Sequence, residues 1–421
     1  MLLNLRIMVI NDATLQFIHE HRTDDVRALA LRARNHPQVD MPIALTQIAG
    51  WQQARDKVPA WAAVDGIVYP PHLSLEQCSS ETTARYKAEL LSSASMESLT
   101  DLTGGFGIDC SFLASHFRQV AYVERQEVLC EAARINFPLL GLEHIAVHRS
   151  DAVDYLRSMA PTDWIFIDPA RRDGHGGKTV AIADCEPDVA ALEEELLQKA
   201  PRVLVKLSPM LDLTLALHTL NHVTQAHIVS VNNDCKELLL LLERDAAVTP
   251  DDVPIHCVNL SVHKAERQVL TFTRATEKRL LATYTPEVQS YLYEPNVSVL
   301  KGGPYCTLCH RYPVAKLHPN SHLYTSDRYL PEFPGRRFAV TGCCGFNKKE
   351  VKALLGDAVK ANLTVRNFPA SVAELRKRLK LTEGGDTYLF ATTLSDDRKI
   401  LIACRNAADV NTSQSFVGNQ K

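Results

Sequence analysis

The spacing of apolar positions changes period along the chain. Over residues 1 to about 92 the runs LQFIHEH, DVRALALRAR and PIALTQIAGWQQARDK place apolar residues three and four apart, which predicts helices. Pro37, Pro42, Pro59 and the pair Pro70-Pro71 punctuate them. In LSLEQCSSETTARYKAELL, Ser79 or Ser80 is placed to cap a helix whose face carries Thr83, Lys87 and Leu90. From Ser98 to Arg244 short apolar runs (SLTDL, VAYVE, IAVHR, WIFID, VLVKL, HIVSV, ELLLLLE) alternate with periodic segments such as EVLCEAARINF and VAALEEELLQKA. That alternation predicts a mostly parallel sheet covered by helices. The last two runs are separated only by NNDCK, too short for a crossover, so they are expected to pair antiparallel.

After Arg244 the texture changes at AAVTPDDVP. Short alternating strands such as HCVNLSV and QVLTFTR follow, and then a compact unit reading strand, helix, strand, helix, GGD turn, strand, strand. The expected divisions are 1–95, 96–246, 247–332, 333–405 and a polar tail, 406–421. No internal repeat is visible.

Composition narrows the class. Among 421 residues 46% are hydrophobic and the formal net charge is -3, which describes a soluble globular protein with no overall attraction to nucleic acid. The longest apolar block, LLLLL at 238–242, is strand length, so no membrane span is expected, and MLLNLRIMVI lacks the cleavage site of a signal peptide. Eleven scattered cysteines read as reduced thiols of a cytoplasmic protein.

The chemistry gathers where strands end. LTDLTGGFGID closes a strand at Asp101 and turns through Gly104, Gly105 and Gly107, which lets backbone approach a ligand closely. Ligands of open parallel sheets bind at the carboxyl ends of the strands, where this chain places Asp101, Glu124, Asp151, Asp168 and Lys206. Glu124 suits a ribose diol and Asp151 an adenine amine, so an adenosine-containing ligand is expected. A nicotinamide dinucleotide fits less well: Cys110 stands where the third glycine of its fingerprint belongs, and Asp101 precedes the glycines, where a pyrophosphate would be repelled. The cationic sulfonium of S-adenosylmethionine fits both features.

The stretch DLTGGFG, followed by Glu124, Asp151 and IDPAR (167–171), resembles the class I S-adenosylmethionine-dependent methyltransferases. The wider set QCSSETTARYKAEL, DPARRDGHGG, DCEPDV, VKLSPMLDL, DCKELLLLLE and RNFPASVAELRKRLKLTEGGDTYLFATTL resembles bacterial RNA methyltransferases with a THUMP-like C-terminal domain. The resemblance implies an α/β protein with a Rossmann-like seven-stranded sheet in 96–246, a helical N-terminal domain, and small α+β domains, ferredoxin-like in 247–332 and THUMP-like in 333–405. It implies S-adenosylmethionine held by Asp101, Thr103, Gly105, Gly107, Glu124, Asp151 and Asp168, and RNA (rRNA or tRNA) as partner.

The acceptor is written more faintly. Asp168 and Arg171 are expected to face it. Enzymes acting on exocyclic base amines carry an aromatic in this loop, whereas Ala170 and Arg171 stand here. Methylation at pyrimidine carbon 5 needs a cysteine nucleophile, and Cys185 and Cys235 lie away from the expected strand ends. Ribose 2′-O-methyltransferases use lysine, aspartate, lysine and glutamate in an order matched by Lys87, Asp168, Lys206 and Glu237. Ribose 2′-O and base nitrogen remain the two acceptors. A small-molecule or protein methyltransferase, or an RNA-binding protein with a vestigial pocket, are the other readings.

Two further signals carry less. CTLCH holds Cys306 and Cys309 at zinc spacing, but adjacent Cys343 and Cys344 make a poor second pair, and no metal is expected. Arg376, Lys377, Arg378 and Lys380, with Lys348, Lys349, Lys352 and Arg366, offer a phosphate-binding surface or an ordinary solvated face.

Overall fold

The computed structural model describes residues 10–70, 76–91, 97–171, 181–262, 267–356 and 358–407. The start 1–9, the whole RDGHGG run and the tail from 408 lie outside the described residues. Contacts divide the chain into two units, Met1–Ala226 with Lys236–Pro250, and His227–Cys235 with Asp251–Lys421.

The first unit opens with helices α1 (Asp12–His21), α2 (Val26–Leu31), α3 (Met41–Lys57), α4 (Pro59–Ala62) and α5 (Glu81–Leu91). Asn11, Asp25 and Asp40 accept hydrogen bonds from backbone N–H groups in the first turns of α1, α2 and α3, which satisfies donors a helix start leaves open. Pro42 and Pro59 sit in first turns too, where a missing N–H costs nothing. Phe17, Leu29, Met41, Ala44 and Ile48 form the core of this layer.

The strands that follow are β1 (Ser98–Asp101), β2 (Gln119–Glu124), β3 (Ile145–Arg149), β4 (Trp164–Ile167), β5 (Ala170–Arg171), β6 (Cys185–Glu186), β7 (Arg202–Leu207), β8 (Val223–Val231) and β9 (Asp234–Glu243). Seven of them stand in the order β3-β2-β1-β4-β7-β9-β8. The first five are parallel; β9 runs antiparallel to β7, from Leu207 opposite Leu238 to Arg202 opposite Glu243. This is the expected Rossmann-like α/β sheet with its antiparallel ending. Asn232 and Asn233 between β8 and β9 have φ of 49° and 64°, the left-handed pair of a tight hairpin turn. The ribbon β5–β6 has two residues per strand, too short to leave a period in the sequence.

Helices α6 (Ile108–Ala114), α7 (Glu127–Leu139), α8 (Ala152–Ser158), α9 (Val189–Lys199) and α10 (Leu213–Thr219) connect the strands. Because β1, β2, β4 and β7 are parallel, Asp101, Glu124, Asp168 and Lys206 arrive near one edge of the sheet. The N-terminal layer braces that edge: the Trp61 ring lies 4.9 Å from Phe106 in the glycine-rich turn, and its indole N–H donates to Ser111 of α6 at 3.2 Å.

In the second unit β10 (Ile255–Leu260) and β11 (Gln268–Phe272) pair antiparallel. A seven-stranded sheet, β13-β14-β12-β15-β18-β17-β16, combines β12 (Tyr291–Pro295), β13 (Ala315–Lys316), β14 (Tyr324–Ser326), β15 (Gly335–Gly345), β16 (Asn362–Arg366), β17 (Tyr388–Thr393) and β18 (Lys399–Asn406). Strand β12 pairs with β15, so one sheet takes strands from both segments that the sequence pattern distinguishes after residue 247. Its helices include α11 (Arg274–Arg279), α12 (Val297–Gly302), α13 (Tyr305–Arg311), α14 (Lys348–Leu355) and α15 (Val372–Leu379). Ser371 and Glu374 close a reciprocal capping box on α15.

Candidate active site

The turn after β1 is tied to the ends of its neighbours. Gly107, at φ 90°, adopts a left-handed conformation that favours glycine, and a Cβ on Gly104 would fall 2.2 Å from the Tyr122 ring. The Tyr122 hydroxyl donates to the Gly105 carbonyl. The Gly105 N–H donates to Glu124 Oε2 at 3.0 Å, and Gln126 N–H to Glu124 Oε1 at 2.8 Å. Thr103 N–H donates to Asp101 Oδ1 at 2.9 Å, while the Thr103 hydroxyl accepts from Asp168 N–H at 2.6 Å. Asp151 accepts from Val153 N–H at 2.9 Å and so starts α8.

These residues surround a cavity of about 440 Å³, ample for a nucleoside-sized ligand. Asp101, Thr103, Gly105, Gly107, Glu124, Asp151 and Asp168 all line it, with Lys206, Asp109, Ser79 and Cys78. Asp101 is 1% exposed, and its Oδ2 has no hydrogen-bond partner among the described residues. Burial pushes this carboxyl well above the ordinary range, Asp109 and Asp168 push the same way, and the Thr103 N–H and Lys206 oppose them. A cationic ligand beside this carboxyl would offset its burial and draw it to the ionised form, so a buried, unpartnered oxygen beside a glycine turn suits such a ligand, and S-adenosylmethionine fits this donor set.

The raised Asp101 has a consequence for stability. The unfolded chain ionises Asp101 near its ordinary value while the folded chain still holds the proton, so the wild type loses stability as pH rises from that value towards the folded one. Asp101→Asn removes this loss. Urea unfolding is expected to show the stability difference between D101N and wild type moving in favour of D101N as pH rises above about 4; a difference moving the other way would contradict the assignment.

Behind the cavity floor lies an ion network. Lys87, 0% exposed, places Nζ 2.7 Å from both Oε atoms of Glu237 and 3.1 Å from Asp109 Oδ1. Lys206 Nζ lies 2.9 Å from Asp109 Oδ2 and 2.6 Å from Asp168 Oδ2. Ser79 donates to Asp109 Oδ2 at 2.7 Å and accepts from Lys206 at 3.0 Å and Lys87 at 3.2 Å. Lys87, Asp168, Lys206 and Glu237 are thus brought together, but Lys87 and Glu237 do not line the cavity. Asp109, which the sequence did not single out, joins the two lysine pairs together with Ser79. Ser80, not Ser79, accepts from Thr83 N–H at the start of α5, which frees Ser79 for the network.

Burial opposes the charge on Asp109, but the Lys206 and Lys87 ammonium groups overcome it and hold the carboxyl below the ordinary range. Burial raises Asp168 against the pull of Lys206, and raises Glu237 against that of Lys87. For Lys206 burial favours the neutral amine, yet Asp109 and Asp168 reverse this and hold it well above the ordinary lysine value.

Other expected residues fall elsewhere. Arg171 pairs through its backbone with Cys185, and its side chain lies outside the described part of the structure. Cys306 and Cys309 sit on α13 and Cys343 and Cys344 on β15; among the described residues no group of three metal-ligating side chains converges. Arg366 bonds the buried Glu294 at 2.9 Å, beside Arg336, so it serves the fold rather than a free basic face. Arg376 pairs with Glu383, and Arg378 lies 4.3 Å over Phe346. Lys348, Lys349, Lys352, Lys377 and Lys380 are exposed. No helix among the described residues is long and apolar enough to cross a membrane.

A Rossmann-like sheet with an antiparallel ending and acidic strand ends around a nucleoside-sized cavity is a fold of the methyltransferase type. The crystal structure of a "putative methyltransferase" from Porphyromonas gingivalis W83 is 37% identical, over 94% of this chain and 98% of that one, with a TM-score of 0.83. The chain belongs to that methyltransferase family. Its C-terminal half matches family models described as a ferredoxin-like domain, over 291–334, and a THUMP domain-like unit, over 335–406. An rRNA methylase from Streptococcus thermophilus is 18% identical over 38% of this chain and 93% of that one, with a TM-score of 0.28. The M. jannaschii tRNA m1G37 methyltransferase is 12% identical over 38% of this chain and 48% of that one, with a TM-score of 0.29. Likenesses this partial have no bearing on the chemistry. No curated protein matches the chain.

Proposed function

We propose that the chain is an S-adenosylmethionine-dependent methyltransferase that modifies ribosomal or transfer RNA in the cytoplasm, at a ribose 2′-oxygen or a base nitrogen. The observation that carries the donor is the unpartnered Asp101 Oδ2 in a cavity that Glu124 and Asp151 also line. In this reading Glu124 accepts from the ribose hydroxyls and Asp151 from the adenine amine. Asp101 faces the cationic end of the donor, while Thr103, Gly105 and Gly107 let it approach the backbone. The donor supplies an activated methyl group, so much of the rate comes from holding the acceptor in line with it. Asp168, Arg171 and Lys206 belong to the acceptor side, with Lys87 and Glu237 behind them. RNA as partner is supported by the THUMP domain-like match and by the exposed lysines of α14 and α15. The added unit also disfavours a small-molecule acceptor, which would need no separate binding surface.

The acceptor is tested by mass spectrometry of nucleosides from ribosomal and transfer RNA of cells with and without the gene. One methylated nucleoside is expected to disappear. Its chemistry distinguishes ribose from base, and an unchanged inventory in both RNA classes would contradict the proposal.

A further inference from the structure

An ammonium group has three N–H donors and no acceptor. In Lys206 they face three protein oxygens, Asp168 Oδ2 at 2.6 Å, Asp109 Oδ2 at 2.9 Å and Ser79 Oγ at 3.0 Å. The Ser79 hydroxyl is saturated too, donating to Asp109 and accepting from Lys206 and Lys87. Asp109 is 8% exposed and is held from three sides, by Ser79 before α5, Lys87 within α5 and Lys206 at the end of β7. Among the charged groups of this network, Asp168 keeps the largest open face, with 35% of its side chain exposed, against 10% for Lys206 and Asp109, 6% for Glu237 and 0% for Lys87.

We infer that Asp109 is a positioning residue for methyl transfer. Together with Ser79 it fixes the Lys206 ammonium with every N–H engaged by protein, so that Asp168 is the group that meets the acceptor's N–H or O–H, and Lys206 acts only through Asp168. The inference rests on the methyltransferase reading, and it reassigns Lys206 within it. A lysine that was to orient or deprotonate the acceptor directly would need a free N–H or a free lone pair, and this one spends two N–H groups on hydrogen bonds to Ser79 and Asp109 and its remaining contact on the Asp168 ion pair. The two carboxylates on Lys206 keep it charged, in agreement with its upward shift.

Two measurements test this. The first reads the geometry without any acceptor: side-chain ¹⁵N spectra of lysine-labelled full-length protein, with the Lys206 signal assigned by its loss in K206M. The Lys206 ammonium is expected to exchange slowly and to stay protonated above the ordinary lysine range of about 10.4. In D109N, and more mildly in S79A, its exchange is expected to quicken. A Lys206 signal that titrates at or below the ordinary value in wild type would overturn the inference. The second uses labelled S-adenosylmethionine with bulk RNA from cells lacking the gene. D109N is expected to lower kcat with little change in the KM for S-adenosylmethionine. K206M placed in a D168N background is expected to change the residual rate by less than about threefold, as for residues that act as one unit. A K206M loss that multiplies the D168N loss would show Lys206 meeting the acceptor by itself and overturn the inference. If wild type transfers no label, the methyltransferase proposal fails, and the spectra still decide how Lys206 is held.

Discussion

Lys87→Met is expected to lower the unfolding free energy by about 3–5 kcal/mol, the range for breaking a buried ion pair from one side. Lys87 is 0% exposed and Glu237 5%, so neither charge can fall back on water. Methionine would leave the Glu237 carboxylate desolvated and Asp109 with one ammonium instead of two. Surface pairs behave differently: Arg157–Glu195, with side chains 60% and 40% exposed, is screened by solvent, and losing it is expected to leave stability almost unchanged. The contrast makes the prediction specific to burial. Replacing both partners, K87M with E237L, is expected to recover much of the loss, because the desolvation penalty leaves with the second charge. Urea unfolding at pH 7.5 checks both, and a K87M midpoint equal to wild type would mean that the network is not closed to solvent.

Asp168→Asn is expected to lower methyl transfer to RNA by about 10²–10⁴-fold, the range for losing a positioned acid–base group. The substitution keeps the shape of the side chain but removes the anion facing the acceptor, and it leaves Lys206 with Asp109 as its remaining carboxylate. Affinity for S-adenosylmethionine is expected to change far less, since Asp101, Glu124 and Asp151 are untouched. Single-turnover transfer combined with donor titration separates the two effects. Equal losses in rate and in donor affinity would place Asp168 on the donor side alone.

The strands, the antiparallel ending and the acidic strand ends were legible because each leaves a local mark: an apolar run, a short turn, a carboxylate before glycines. Asp109 left none. It follows the glycine turn in the first turn of a buried helix, and its importance comes from contacts with Ser79, Lys87 and Lys206, positions 30, 22 and 97 residues away. No periodicity encodes such meetings. Arg366 shows the converse, since it stands in a basic stretch of sequence but bonds a glutamate 72 residues away that is buried in the sheet. Composition counts cations without telling which are already paired. The sheet shared by β12 and β15 was likewise hidden, because strand order is a tertiary choice that the alternating pattern of each strand does not record.

The claim beneath all of this is that the cavity bounded by Asp101, Gly105, Glu124 and Asp151 holds S-adenosylmethionine, and isothermal titration of the full chain measures that directly. One equivalent is expected to bind wild type, and Glu124→Ala is expected to weaken binding by about tenfold or more, the loss of a charge-assisted hydrogen bond of about 1.5–3 kcal/mol. Folded wild-type protein that takes up no S-adenosylmethionine at millimolar concentration, or an E124A variant that binds it as tightly as wild type, would contradict the account.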